Sequence, residues 1–299
     1  MNNYELVQVF TTGKNASWFD ECKKLISDFC ADIDRDLLAE VYADVFDIYH
    51  GQYPGFDISD AKYHDFSHAC AATLATTRLF HGLVIDGWNI SQTTVEQGII
   101  STLFHDIGWL PSSDESLGGN TPSYENHEER SISFMKHYLV QKGFTTDYCK
   151  DCADIVKCTD LEVVPDMLDF RSEGKKIGGY VVGSADLLSQ MADRCYLERL
   201  PFLFREQGYS ALLQFDTPVE LFEKTAEFHS KTVMARLEGT FHNVYKSMRS
   251  HFRVRWGLDT DLYTDNIQKN LKFLKKIVGE CEGEFACIEK RLRRNIRSL

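Results

Sequence analysis

Apolar residues recur at helical spacing along most of this 299-residue chain, with polar residues on the intervening faces. Only six prolines interrupt it (Pro54, Pro111, Pro122, Pro165, Pro201 and Pro218), and residues 1–53 and 219–299 contain none. Proline breaks helix interiors, so long proline-free stretches of this periodicity predict an all-α chain. Several helix starts are legible. Ser17-Trp18-Phe19-Asp20 and Thr93-Thr94-Val95-Glu96 read as capping boxes, and Thr217-Pro218-Val219-Glu220 offers an N-cap, a proline at N1 and an acid at N3. Gly108 and Gly143 mark helix ends. Together these signals predict helices near 18–31, 34–50, 62–84, 92–107, 124–142, 146–159, 180–207, 218–250, 260–279 and 283–297. A short strand over Tyr4–Thr11 is the one non-helical element expected. Between Gly108 and Ser123, a loop rich in glycine and proline is long enough to border a functional site.

Charge and composition narrow the function. Lys and Arg number 33 against 45 Asp and Glu, a net charge of −12, which would repel a phosphate backbone and argues against general nucleic-acid binding. No apolar run approaches the roughly 18–20 residues that cross a bilayer. The first residues lack the basic and apolar regions of a secretory signal. Nine cysteines, an odd number scattered along the chain, do not suggest a disulfide framework. These features predict a cytoplasmic protein of one domain, 1–299, with 43% hydrophobic residues to build its core.

Five clusters carry ionisable or polar chemistry. Tyr63-His64-Asp65-Phe66-Ser67-His68-Ala69 sets two histidines four residues apart, hence on one face of a helix. Leu103-Phe104-His105-Asp106-Ile107 places a His-Asp pair at the end of an apolar helix. Glu125-Asn126-His127 opens the next helix, Cys158-Thr159-Asp160 closes another, and Ala185-Asp186-Leu187 holds an acid among apolar residues. A carboxylate in such surroundings is costly unless it is paired or binds a metal. Imidazole and carboxylate together suit a divalent cation. Each residue taken alone is more often a hydrogen-bonded core group; the five clusters together are not explained that way.

In their order, these motifs resemble the HD superfamily of metal-dependent phosphohydrolases, and within it the catalytic domain of the cyclic-nucleotide phosphodiesterases. The likeness spans residues 60–210 as a helical catalytic core. Helices before 55 would cap it, and those after 217 would complete a pocket wall or form a homodimer surface. It implies that His68, His105, Asp106 and Asp186 hold a first divalent metal ion, with Asp106 bridging toward a second that His127 also ligates. His64 would be the general acid for the leaving oxygen, while Glu125, His127 and Thr159 order water. The implied reaction is hydrolysis of a phosphomonoester or phosphodiester in a small, nucleotide-like substrate by a hydroxide that the metal activates. Imidazole, titrating near neutrality, suits the proton transfer. Mg²⁺, Mn²⁺, Fe²⁺, Zn²⁺, Co²⁺ and Ni²⁺ all suit such a donor set.

Departures from the phosphodiesterase pattern point away from cyclic nucleotides. Position 65 is Asp where that family has Asn, and no second His follows the His-Asp pair. Two other readings remain: a di-iron oxygenase on the same fold, and a non-catalytic module that binds a nucleotide and signals. Lys157, Arg194 and Arg199 are candidate contacts for a substrate phosphate. Cys149 and Cys152, His81, His137, His229, His242 and His251, and the basic C-terminal segment read as ordinary helix residues.

Overall fold

The computed structural model describes residues 16–59, 61–112, 126–207, 217–292 and 294. The expected strand at Tyr4–Thr11 and most of the loop before Ser123 lie outside them. Among the described residues the chain is all-α: twelve α-helices and no strand, with a single antiparallel bridge between Phe56 and Ser112. In order these are α1 (Ala16–Phe29), α2 (Arg35–Tyr49), α3 (Phe66–Ile85), α4 (Gln92–Phe104), α5 (His127–Gln141) and α6 (Thr146–Val156). There follow α7 (Glu173–Ala192), α8 (Tyr196–Gln207), α9 (Pro218–Phe228), α10 (Met248–Trp256), α11 (Leu262–Cys281) and α12 (Phe285–Arg291). None is long and apolar enough to cross a membrane.

The centre of the packing is α3, which lies against α7 and also meets α1, α4 and α10. It is buried almost from end to end, as expected of a helix without a polar face. Its threonines fit there because their hydroxyls are satisfied: Thr73 and Thr77 donate to the carbonyls of Ala69 and Thr73, and Thr76 pairs with Thr102 on α4. Helices α4, α6 and α7 pack pairwise beside it. Small residues bring these backbones together. At Gly108 a Cβ would stand 2.0 Å from the His127 carbonyl oxygen, so glycine is required where the turn after α4 meets the start of α5. That close approach, rather than a left-handed helix cap, is the reason for Gly108. Gly143 does take the left-handed conformation, with φ of 86° after α5.

Helix boundaries depart from the sequence-based expectation in instructive places. Thr217 caps α9 as expected, accepting from the Glu220 N–H. For α4 the cap is Ser91, not Thr93, and α1 already runs through Ser17. The stretch expected as one helix over 180–207 starts earlier, at Glu173, and breaks after Ala192. There the side chain of Asn270 on α11 donates to the carbonyls of Met191 and Asp193, satisfying backbone that a continuous helix would have used. The stretch expected over 218–250 loosens into π-helical turns at His229–Val233 and Arg236–Thr240 and reverses at His242 and Asn243, both with positive φ. Arg236 stabilises that departure: its guanidinium donates to the carbonyls of Cys158, Asp160, Leu161 and Val163. No disulfide was expected, but Cys281 and Cys287 form one, because a left-handed turn at Glu282 and Gly283 folds α12 back on α11. Cys149 and Cys152 are free and buried on α6.

Candidate metal centre and its cavity

Four of the expected ligands converge. His68 sits in the first turn of α3, His105 and Asp106 follow the last turn of α4, and Asp186 lies in the middle of α7. His68 Nε2 is 3.2 Å from His105 Nε2, 3.2 Å from Asp106 Oδ2 and 3.1 Å from Asp186 Oδ1. His105 Nε2 is 3.2 Å from Asp106 Oδ2 and 3.5 Å from Asp186 Oδ1. Donor atoms that each lie about 2.0–2.2 Å from one cation stand roughly 3.0–3.5 Å apart when adjacent in its shell, and these separations match. His68, His105 and Asp106 form a buried group with the spacing of a metal site.

Proton counting supports the same conclusion. His105 Nδ1 lies 2.7 Å from the Thr102 carbonyl and must donate to it. In the neutral ring Nε2 is then a bare lone pair aimed at carboxylate oxygens, the arrangement that orients a metal-ligating histidine. Asp106 Oδ2 is buried and has no hydrogen-bond partner, although both imidazoles stand near it. His68, His105 and Asp106 bring their donor atoms together as one group, and Asp186 Oδ1 stands beside the two histidines. Two carboxylates and two neutral imidazoles sum to −2, the complement of a divalent cation. Without a cation the site holds protons instead. Burial alone would depress the His68 imidazolium, but Asp106 and Asp186 outweigh it and lift its pKa to about 9. His105 is raised in the same way. Despite their own burial, the facing imidazoles hold both carboxyls well below the usual carboxylate range.

His64 is not on the helix face that its spacing from His68 suggested. Asp65 is the N-cap of α3, accepting from the His68 N–H at 3.0 Å, so His64 precedes the helix. Glu206 on α8 holds it there. One carboxylate oxygen accepts from the N–H groups of Lys62 and Tyr63, and the other meets the His64 N–H and His64 Nδ1, the last at 3.0 Å. Trp109 stacks on a face of the ring, 4.5 Å between centroids and 8° from parallel. With Nδ1 committed to Glu206, Nε2 is the ring nitrogen left for the cavity that His64 lines.

That cavity is open to solvent, and its empty space, open mouth included, measures about 920 Å³. Asp106 and Asp186 reach it from the centre, and His127, Thr159 and Trp109 stand on its wall. His127 lies outside the metal-spaced group; its Nε2 meets Glu128 Oε1 at 3.0 Å. The Thr159 hydroxyl donates to the Val156 carbonyl at 2.8 Å. Glu125 falls outside the described residues.

Two supporting residues were not legible as such. Gln190, one turn after Asp186, donates to Asp186 Oδ1 at 2.7 Å and accepts from the Tyr63 hydroxyl at 3.1 Å. Arg199, expected as a phosphate contact, is spent structurally. It pairs with Asp65 and Asp193 and donates to the Lys62 carbonyl and the Ser67 hydroxyl, tying α8 to the start of α3. Asp65 serves this clamp and the helix cap together, which gives a physical reason for an acid at that position. Lys157 pairs with Asp154, and Arg194 is exposed. An i to i+4 spacing such as Asp186 to Gln190 was the one available signal for the first of the two.

No family model matches this chain, and no curated protein matches it. What can be said plainly rests on geometry: an all-α chain with a buried His-His-Asp group that could hold a metal ion, opening on a cavity.

Proposed function

We propose that the chain is a metal-dependent phosphohydrolase of the HD superfamily, acting on a phosphomonoester or phosphodiester of a small molecule. The observation that carries this reading is the convergence of His68, His105, Asp106 and Asp186 beside a cavity that a separately held imidazole, His64, also faces. A divalent cation in that group supplies Lewis-acid stabilisation of charge on phosphoryl oxygens and activates water as a nucleophile. The chain's own residues do the rest. His64, as the imidazolium, donates a proton from Nε2 to the leaving oxygen, while Glu206 accepts from Nδ1–H and holds the ring's orientation. Gln190 holds the Asp186 carboxylate, and Tyr63 holds Gln190. By the same resemblance, His127 and Thr159 on the cavity wall, together with Glu125, would order water, and His127 would assist a second cation. The di-iron reading has no structural observation in its favour: the metal-spaced group among the described residues contains two histidines, His68 and His105.

The test combines elemental analysis with hydrolysis of bis-p-nitrophenyl phosphate and a panel of phosphoesters. Near-stoichiometric metal and phosphoester cleavage, both lost in Asp106→Ala, are expected. Metal-loaded protein that cleaves no phosphoester across the panel would overturn the proposal.

A further inference from the structure

The cavity has two unlike halves. Around the metal group it is polar, with His64, Asp106, His127, Glu128, Thr159 and Asp186. Its other half is built from one face each of α7, α8 and α9: Leu187 and Met191, then Leu200 and Leu203, then Leu221 and Phe228. The polar groups that do occur there are already occupied. The Thr225 hydroxyl donates to the Leu221 carbonyl at 2.6 Å, and the Tyr196 hydroxyl faces Thr225. Gln190 is committed at both ends of its amide, to Asp186 and Tyr63. No Lys or Arg lines the cavity among the described residues, whereas Asp106, Glu128 and Asp186 do.

From this division we infer the substrate class of the site: a phosphoester with one phosphoryl group and an apolar alkyl or aryl moiety, rather than a nucleotide or a polyphosphate. The inference rests on the phosphohydrolase reading and deepens it. The cation's charge is already matched by Asp106 and Asp186, so each phosphate beyond the one bound at the metal adds negative charge that no Lys or Arg among the described lining residues meets, with Glu128 on the same wall. A nucleobase or sugar presents several donors and acceptors, and burying those against Leu200, Leu203, Leu221 and Phe228 leaves them unpaired, at a cost of about 1–3 kcal/mol for each group. An alkyl chain or aromatic ring meets the same wall with favourable burial of apolar surface. This half of the cavity also explains why the helix carrying Glu206 does double service: one stretch of α8 positions His64, and Leu200 and Leu203 on it line the apolar wall.

The experiment measures, by titration calorimetry on the metal-loaded full chain, the binding of n-alkylphosphonates from ethyl to decyl beside adenosine 5′-monophosphate and ribose 5-phosphate. In parallel it measures turnover of n-alkyl phosphates and of p-nitrophenyl phosphate. Affinity is expected to rise roughly fourfold per methylene until the wall is filled, and the longer alkyl ligands to bind more tightly than both polar phosphates. Phe228→Ala, at a half-buried wall position, is expected to flatten the chain-length series while metal content stays unchanged. Should that variant unfold, the wild-type series alone decides the matter. Affinity independent of chain length, with tighter binding of adenosine monophosphate, overturns the inference while p-nitrophenyl phosphate turnover preserves the phosphohydrolase reading. Failure of every phosphoester and phosphonate to bind or react overturns both.

Discussion

Two pairs of histidines are buried in this protein, and they behave in opposite ways. His68 and His105 face each other through Nε2 at 3.2 Å with Asp106 and Asp186 beside them, and their pKa values are raised. His81 on α3 and His251 on α10 face each other through Nδ1 at 3.0 Å, and theirs are lowered. Desolvation pushes the second pair down with only Asp28 opposing it at His81, while Arg78, His81 and Arg255 push His251 further the same way. His251 Nε2 is also left without a partner. Burial and imidazole proximity are common to both pairs, so neither makes a cation site. The two carboxylates do: they turn one pair into a place that demands positive charge, while the other excludes it.

The comparison can be broken most sharply at Asp106. Replacing it with Ala should abolish metal uptake and phosphoester hydrolysis together, as read by elemental analysis and assay on one preparation. His64→Ala should keep the metal and reduce turnover roughly 10²–10⁴-fold, the loss of a general acid. If that variant loses the metal as well, the separation between His64 and the ligand group is wrong. Glu206→Gln should retain metal and lower turnover less than His64→Ala does. Because Glu206 acts through the orientation of His64, the variant should also displace a limb of the pH–rate profile, which mere loosening of α8 would not.

Stability against pH sharpens the contrast further. In metal-free protein the His68 pKa is raised from 6.5 to about 9. Its contribution is therefore fully present below pH 6.5 and is lost as pH rises through about 9. Metal loading displaces the protons and should remove this slope. The His251 pKa lies well below its ordinary 6.5, so its contribution is present above that pH and is lost as pH falls. Thermal unfolding of metal-free protein from pH 5 to 9.5 should show both limbs. The smallest effect is expected from His251→Leu, which should leave metal content unchanged and weaken only the acid limb; metal loss in this variant would erase the distinction between the pairs.

Much of this was legible in the sequence, for reasons that also mark the limit. Helices with strong local signals came through: Thr217-Pro218 before α9, and the apolar run of α4 ending at His105. The four converging residues were recognisable from the order of motifs that resembles the HD superfamily, together with the need of a His or Asp among apolar neighbours for a partner. Where the reading failed, tertiary contacts had overridden local preference. Asp65 could equally have been an interior helix residue; its N-cap bond and its pairing with Arg199 are what move His64 off α3. The breaks after Ala192 and within 229–247 carry no proline, and depend on Asn270 and Arg236 capturing backbone carbonyls from distant elements. Glu206 and Arg199 look alike in sequence as charged residues of a helix. Only the folded α8 assigns one to the general-acid candidate and the other to a clamp.

The account depends most directly on the cation, and one measurement addresses it: elemental analysis of the full chain after chelation and reloading, for wild type, Asp106→Ala and His251→Leu side by side. The account predicts at least one equivalent of divalent metal in wild type and His251→Leu, and none in Asp106→Ala. Equal metal in all three, or none in wild type under any supplementation, would contradict it.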